Sequence, residues 1–520
     1  MSRIFLIFAC IFIQAFIVAA CGTDTGQDPT AAGEITIYRG NGGDPGSLDP
    51  ALAEDVHAFN ILADLYEGLV TTAADGTLVP GAAERWSVSA DGLTYRFHLR
   101  TDALWSNGEP VTAEDFVRAY ERVTAPSSTA GFAFLLDPVR DYVAVGPSTL
   151  EIHLAEPAAH LPAVLSMPVA FPIPASAIAA GSFSDPESFV GNGPYLLDSH
   201  TVGAATRLRR NPSFRDVSSV AVDVIVYLPI VDPLAELNIY RSGELHITNT
   251  IPPGHLPTLG ETIPDALRIA PSLALYYLAF DLTEPPLDNP ALRQALSMAI
   301  DRRQLVELIG RGEQPAYGVV PTGVANYDGA AFEWRDWPSE KRESRARELY
   351  RQAGYDRSAP LTIHYTYDAG DIHEKVALAV VSMWRDILGV EVTLDKKEWQ
   401  YFLETRERRS DWQVMRFAWF GDYDHASTFT NIFRSNDAQN LARFDNPEYD
   451  RLVATASQEA HSDKQAELLR EAEALLLTEN PVAPLYFFVS KHLVSPQVAG
   501  FEQNVLDRHP SRYLSLEVDD

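Results

Sequence analysis

Residues 413–433 read Q-V-M-R-F-A-W-F-G-D-Y-D-H-A-S-T-F-T-N-I-F, and the organisation of the chain turns on them. Apolar and aromatic residues surround one carboxylate, Asp422, with a second, Asp424, two positions on. Gly421 breaks the run just before Asp422. An acid set among Trp419, Phe420 and Tyr423 is costly to bury without a cationic or hydrogen-bonding partner. Either Asp422 is exposed or a positive group meets it, and a ligand ammonium is one such group. Taken alone, the stretch reads more readily as an acid in an ordinary strand-to-helix turn. The rest of the chain decides whether a pocket is built there.

Working outward, strands and helices alternate. C-terminal to the stretch, residues 463–477 have helical spacing and 484–489 form an apolar strand. N-terminal to it, 341–350 and 375–388 are amphipathic helices, and 390–394 is a strand. Asn289-Pro290 opens a helix with Leu292, Leu296, Ala299 and Ile300 on one face, proline being preorganised for a first helical position. Asp301 caps a second helix over 302–309 that Gly310 ends. Further strands are expected at 34–39, 93–99, 151–154, 223–228 and 276–281, and a helix at 60–69 stopped by Gly68. Thr112 and Asp115 have the spacing of a capping box before an amphipathic helix. Residues 161–174 carry four prolines and form no regular element. The pattern is that of an α/β chain, and roughly 490 residues beyond the leader exceed a single hydrophobic core.

The chain opens with Arg3 and an apolar run over 4–18 broken only by Gln14. That is the length of a signal peptide and short for a membrane span. Val18-Ala-Ala-Cys21-Gly22 is similar to the lipobox of bacterial lipoproteins, in which the cysteine is lipidated and becomes the new terminus. A plain secretory signal cut after Ala20 and an uncut anchor are the alternatives. Residues 1–20 are read as signal peptide, and 21–33 as lipidated Cys21 and a flexible tether. The only other cysteine, Cys10, falls inside the apolar run, so the exported domain has no internal disulfide. A formal charge of −30 argues against nucleic acid or anionic lipid as partners.

Catalytic signatures are missing. There is no G-x-S-x-G elbow and no H-E-x-x-H, since His373-Glu374-Lys375 fails at the second histidine. The 13 histidines are scattered without metal-ligand spacing. Binding without a cofactor or metal is the expectation.

Six segments, in order, resemble the bacterial oligopeptide-binding (solute-binding protein family 5) lipoproteins of peptide ABC transporters. They are D-L-Y-E-G-L over 64–69, W-S-N-G-E-P-V-T-A-E-D-F over 105–116 and V-G-N-G-P-Y over 190–195. The others are R-N-P-S-F over 210–214, L-R-Q-A-L-S-M-A-I-D-R over 292–302 and W-F-G-D-Y over 419–423. The resemblance covers the chain from about residue 34 to its end. It implies a periplasmic-binding-protein type II-like α/β fold, two lobes with a hinge and an extra α+β domain. Mapped here, lobe I is 34–65, 196–287 and 489–520, the extra domain is 66–195, and lobe II is 288–488.

The same resemblance implies roles for single residues. Asp422 matches the acid that pairs with a peptide ammonium. Trp399 matches a tryptophan lining a side-chain pocket, Trp419 an aromatic beside the ligand, and Ala418 a residue whose backbone pairs with the peptide. Arg406 and Arg416 match arginines that meet a peptide carboxylate. Phe132 and Phe488 stand where the family has tyrosines facing the ligand, and Glu407 where a histidine can follow the first arginine. The implied partners are an oligopeptide ligand and the permease subunits of an ABC importer. The protein is expected to be a monomer, held at a bacterial membrane only through its lipid. Relatives of this fold also take dipeptides, nickel complexes, haem or oligosaccharides. A peptide-sensing lipoprotein without import is a further reading, and a hydrolase on this scaffold a remote one.

Overall fold

The second half of the strand Leu267–Phe280 is a continuous apolar run, L-A-L-Y-Y-L-A-F, buried on both faces. Such a run fits only the interior of a covered sheet. In the computed structural model, which describes residues 34–517 except 182, 409–410 and 460, it is an inner strand of a six-stranded sheet. The order is Gln314–Pro315, Val482–Leu493, Leu267–Phe280, Val414–Phe420, Thr362–Asp368 and Glu391–Lys397. Leu267–Phe280 is antiparallel to both neighbours, whereas Thr362–Asp368 is parallel to both of its own.

A four-stranded sheet carries the start of the described chain, in the order Thr36–Gly40, Val224–Leu228, Ala205–Arg210 and Tyr195–Thr201. A separate antiparallel sheet joins Ala83–Val88, Thr94–Leu99, Thr149–Leu154 and Val139–Gly146. The class is therefore mixed α/β. One large core unites these two smaller sheets and their helices, and a second fills the six-stranded sheet. From Ile35 onward the chain is one compact unit. No described helix is long and apolar enough to cross a membrane. The leader, the lipobox and Cys21 lie outside the described residues.

Local chemistry explains the helix boundaries. Asp301 Oδ1 accepts from the N–H groups of Arg303 and Gln304 at 3.1 and 3.0 Å, and Gly310 closes the helix Arg302–Ile309 in the left-handed region. Asp115 Oδ2 takes the Thr112 N–H at 2.9 Å at the start of Ala113–Thr124, and also the indole N–H of buried Trp105 at 3.1 Å. One expectation fails. The helix placed at 60–69 runs Val56–Leu65, because Asp55 caps it by accepting the Ala58 N–H at 2.8 Å. Gly68 is not its stop. A side chain there would meet the Leu165 carbonyl at 2.7 Å, so close backbone contact is what requires glycine. The proline-rich 161–174 segment does hold two short turns, Leu161–Val164 and Pro168–Ala170, each with proline in its tolerated first positions.

Several of the sequence landmarks are structural knots. Asn192 bonds Glu67 through both backbone groups, at 3.0 and 2.8 Å. The Glu67 carboxylate pairs with Arg215 at 2.7 Å and Arg512 at 2.9 Å. Asn211 donates to the Gly193 carbonyl at 2.8 Å. Fully buried Arg302 donates to the carbonyls of Ala316, Pro484, Ser297 and Ile300 and to the Ser297 hydroxyl. A buried guanidinium is tolerable only with its donors satisfied in this way.

Two strands join the core regions. Leu267–Pro271 pairs with Val489–Leu493, the register then slips, and pairing resumes at Leu275 opposite Phe487. Sequence reading placed residues through 287 with lobe I. The second half of Leu267–Phe280, 273–280, instead lies inside the larger sheet, because that apolar run needs strands on both sides, whereas 267–271 pairs on one side only.

Candidate functional site

Val414–Phe420 sets the geometry of the site. One edge pairs along its whole length with Leu267–Phe280, from Val414 opposite Phe280 to Phe420 opposite Ala274. The other edge pairs with Thr362–Asp368 only at Val414 and Met415. From Arg416 onward that second edge has no strand partner among the described residues, and Ala418 lies on this open portion. Unpaired strand edges are templates for a further strand.

The chain then turns sharply. The Gly421 N–H donates to the Leu273 carbonyl at 2.7 Å, and a side chain at Gly421 would collide with Thr428 and Phe429. The Asp422 N–H donates to Thr428 Oγ1 at 3.3 Å. Its carboxylate makes no hydrogen bond or ion pair with any described residue. Burial alone raises its pKa from 3.8 to about 6. Flanking side chains point to different places. Phe420 is 61% exposed and meets Phe488 at 5.2 Å, while Tyr423 enters the first core and stacks on His160 at 4.7 Å. Asp424 accepts the Ala325 N–H at 3.0 Å. The acid thus stands where the two cores meet, desolvated and without a counter-charge.

The other predicted residues fall into two groups. Trp399 is 47% exposed and stacks on Phe402 at 5.9 Å, and Phe402 lies 5.0 Å beneath the Arg416 guanidinium. Arg416 in turn sits over Tyr276, whose ring meets Phe488 at 6.5 Å. One aromatic and cationic strip therefore runs from Trp399 to Phe420. The half-buried Trp419 packs against the second core, and its indole N–H has no acceptor among the described residues. Phe132 is apart from this strip, against Phe59 at 5.7 Å in the first core.

The two arginines differ. Arg416 is buried and ion-paired with Asp368, beside His373, so it already has an internal partner. Arg406, on the helix Trp399–Arg408, lies over the Phe417 ring at 5.7 Å and makes no ion pair among the described residues. Glu407 is exposed.

Sequence reasoning missed two features. His492, Asp507 and His509 converge, with the Asp507 carboxylate 2.7 Å from one ring and 3.2 Å from the other. His492 Nδ1 faces the Thr248 carbonyl at 2.7 Å and so must donate to it, while Nε2 faces Asp507. Both ring nitrogens then carry protons. Burial opposes that charge, but Asp507 and Thr248 outweigh it and raise the pKa. The second feature is Arg508, inside this same loop. Neither has a local sequence signal, because each depends on strands and tail meeting in space.

Residues 77–440 match the family model of bacterial extracellular solute-binding proteins, family 5 Middle. The chain is 34% identical over 506 residues to the periplasmic oligopeptide-binding protein OppA of Escherichia coli K12, covering 93% of this chain and 92% of that one. It is 34% identical over 492 residues to the probable deoxycholate-binding periplasmic protein YgiS of the same organism, covering 91% of each. Among solved structures, the periplasmic murein tripeptide-binding protein MppA in its unliganded open form aligns with a TM-score of 0.87 and 31% identity, over 93% of this chain and 98% of that one. The chain belongs to the bacterial extracellular solute-binding proteins of family 5.

Proposed function

We propose that this protein captures oligopeptides outside the cytoplasm, between two lobes, and delivers them to an ABC importer without turning them over. The observation that carries the reading is the unpaired Asp422 carboxylate at the end of a half-open strand edge. An extended peptide adds to such an edge through its backbone, which every peptide shares. Its terminal ammonium fits the desolvated Asp422 carboxylate. Trp399, Trp419 and Phe488 offer apolar faces for side chains, with Phe132 contributing from the other lobe. Ala418 supplies backbone groups. Arg406, free of an ion pair, is the better cation for a peptide carboxylate, and Arg416 contributes only by sharing Asp368.

Deoxycholate, named for one relative, is an anion without an amine and leaves Asp422 unmatched. The lobes follow the boundaries expected from sequence, except that residues 276–280, beyond the hinge, move with lobe II. The slipped ribbon of 267–275 and 487–493 is the hinge. A lipid on Cys21 tethers the monomer to the membrane, so Cys21→Ser releases the protein, and continued membrane retention contradicts the anchor.

Calorimetry with a short peptide pool tests the ligand. Asp422→Ala leaves an ammonium unpaired, at a cost of roughly 2–5 kcal/mol, or on the order of 30- to several-thousand-fold in affinity. Wild-type affinity in the variant overturns the assignment.

A further inference from the structure

The tail segment that follows the hinge ribbon is braced beyond what a surface connection needs. Asn504 donates to the carbonyls of Ala74 and Arg508 at 3.2 and 2.8 Å and accepts the Arg508 N–H at 3.2 Å. Asp507 holds a left-handed conformation, φ 54°, and is fixed by His492 and His509. Arg39 adds a hydrogen bond to the His509 carbonyl at 2.8 Å. This braced loop lines a small cavity of about 30 Å³ with Arg508, His509 and Pro510, opposite Asn60, Tyr66 and Ser166.

The Arg508 guanidinium makes no hydrogen bond and no ion pair among the described residues. Burial pushes its pKa down to about 10, and the charge acting on it is Asp424, two residues beyond Asp422 on the facing loop. A desolvated cation with unused donors is costly to keep. The contrast with Arg302, whose three nitrogens all donate to oxygens, is direct. In a chain of net charge −30, an anionic ligand needs a local cation of this kind.

We propose that Arg508 is a second charged anchor of the cleft, taking a carboxylate of a peptide whose ammonium sits on Asp422. The inference rests on the reading of Asp422 as the ammonium site. It makes the preferred ligands peptides that carry an acid within reach of the first lobe. That acid is either a Glu or Asp side chain or the peptide's own C-terminus. The planar fork of arginine suits a carboxylate, and the cavity has room for one small polar group.

The test is calorimetry with Ala-Glu-Ala-amide, Glu-Ala-Ala-amide, Ala-Gln-Ala-amide and the free acid Ala-Gln-Ala. Wild type should bind at least one carboxylate-bearing peptide about 10- to 100-fold more tightly than Ala-Gln-Ala-amide. A gain confined to the Glu peptides identifies a side-chain acid, and a gain confined to the free acid identifies the C-terminus. Arg508→Gln should erase that gain, leave the affinity for Ala-Gln-Ala-amide unchanged, and melt no lower than wild type without ligand. Arg508→Lys should keep part of it. Equal affinities in wild type overturn the proposal, as does a gain that survives in R508Q. So does uniform weakening of every peptide, which would mark Arg508 as a latch to Asp424. A fall in the melting temperature of ligand-free R508Q also overturns it. Loss of all binding on Asp422→Asn, with the wild-type preference intact, supports both readings. Failure of every peptide to bind wild type contradicts the peptide reading itself, and this inference with it.

Discussion

Asp422 carries the account at the scale of single residues. Its carboxyl is desolvated to a pKa of about 6, and ammonium binding needs it ionised. Peptide affinity should therefore hold above pH 6 and fall about tenfold per unit below it, measured by calorimetry in matched buffers. The ligand-free protein should show the opposite preference. An acid with a raised folded pKa favours folding below its unfolded pKa, and that contribution is lost as pH rises through about 6. Asp422→Asn should thus raise the melting temperature relative to wild type at pH 7.5 and lose that advantage near pH 4. A variant that gains stability while losing its ligand marks a residue kept for binding. The apolar setting of Asp422 was legible in the sequence, but alone it reads as a turn acid, and only the family resemblance attaches a ligand to it. The pairing of Arg416 was not legible. Its partner Asp368 lies 48 positions away, and only strand pairing brings them together.

At the scale of elements, buried polar groups hold the scaffold around the site. Glu473, fully buried on the helix Ser462–Glu479, accepts the N–H groups of Val319, Val320 and Ala330 and the Tyr327 hydroxyl, at 2.7 to 2.9 Å. The segment it gathers contains Ala325, which donates to Asp424. Glu473→Ala should orphan several donors and destabilise the protein by at least about 3 kcal/mol, read by urea denaturation. The His492–Asp507 pair fixes the tail against the hinge strand. A histidine with a raised folded pKa stabilises fully below its unfolded value of 6.5, and the contribution fades as pH rises through the folded value. The stability gap between wild type and His492→Gln should therefore be widest below pH 6.5 and close in alkaline buffer. Helices with local caps, such as Arg302–Ile309 after Asp301, were legible residue by residue. The helix Val56–Leu65 was placed late because Asp55 was not taken as its cap. The long strand Leu267–Phe280 was only half seen, since its first half is paired solely with the distant Val489–Leu493.

The whole molecule joins two large cores, and a slipped two-stranded ribbon runs between them. Small-angle scattering should record a smaller radius of gyration on adding peptide, and an unchanged profile at saturation would contradict closure. The central claim is that a ligand ammonium completes the charge left open at Asp422. Its most direct test is calorimetric titration of one tripeptide in two forms, with a free N-terminus and N-acetylated, against wild type. The account predicts that acetylation weakens binding at least about 30-fold, and that Asp422→Asn binds both forms equally weakly. Equal binding of the free and acetylated peptides by wild type would contradict it.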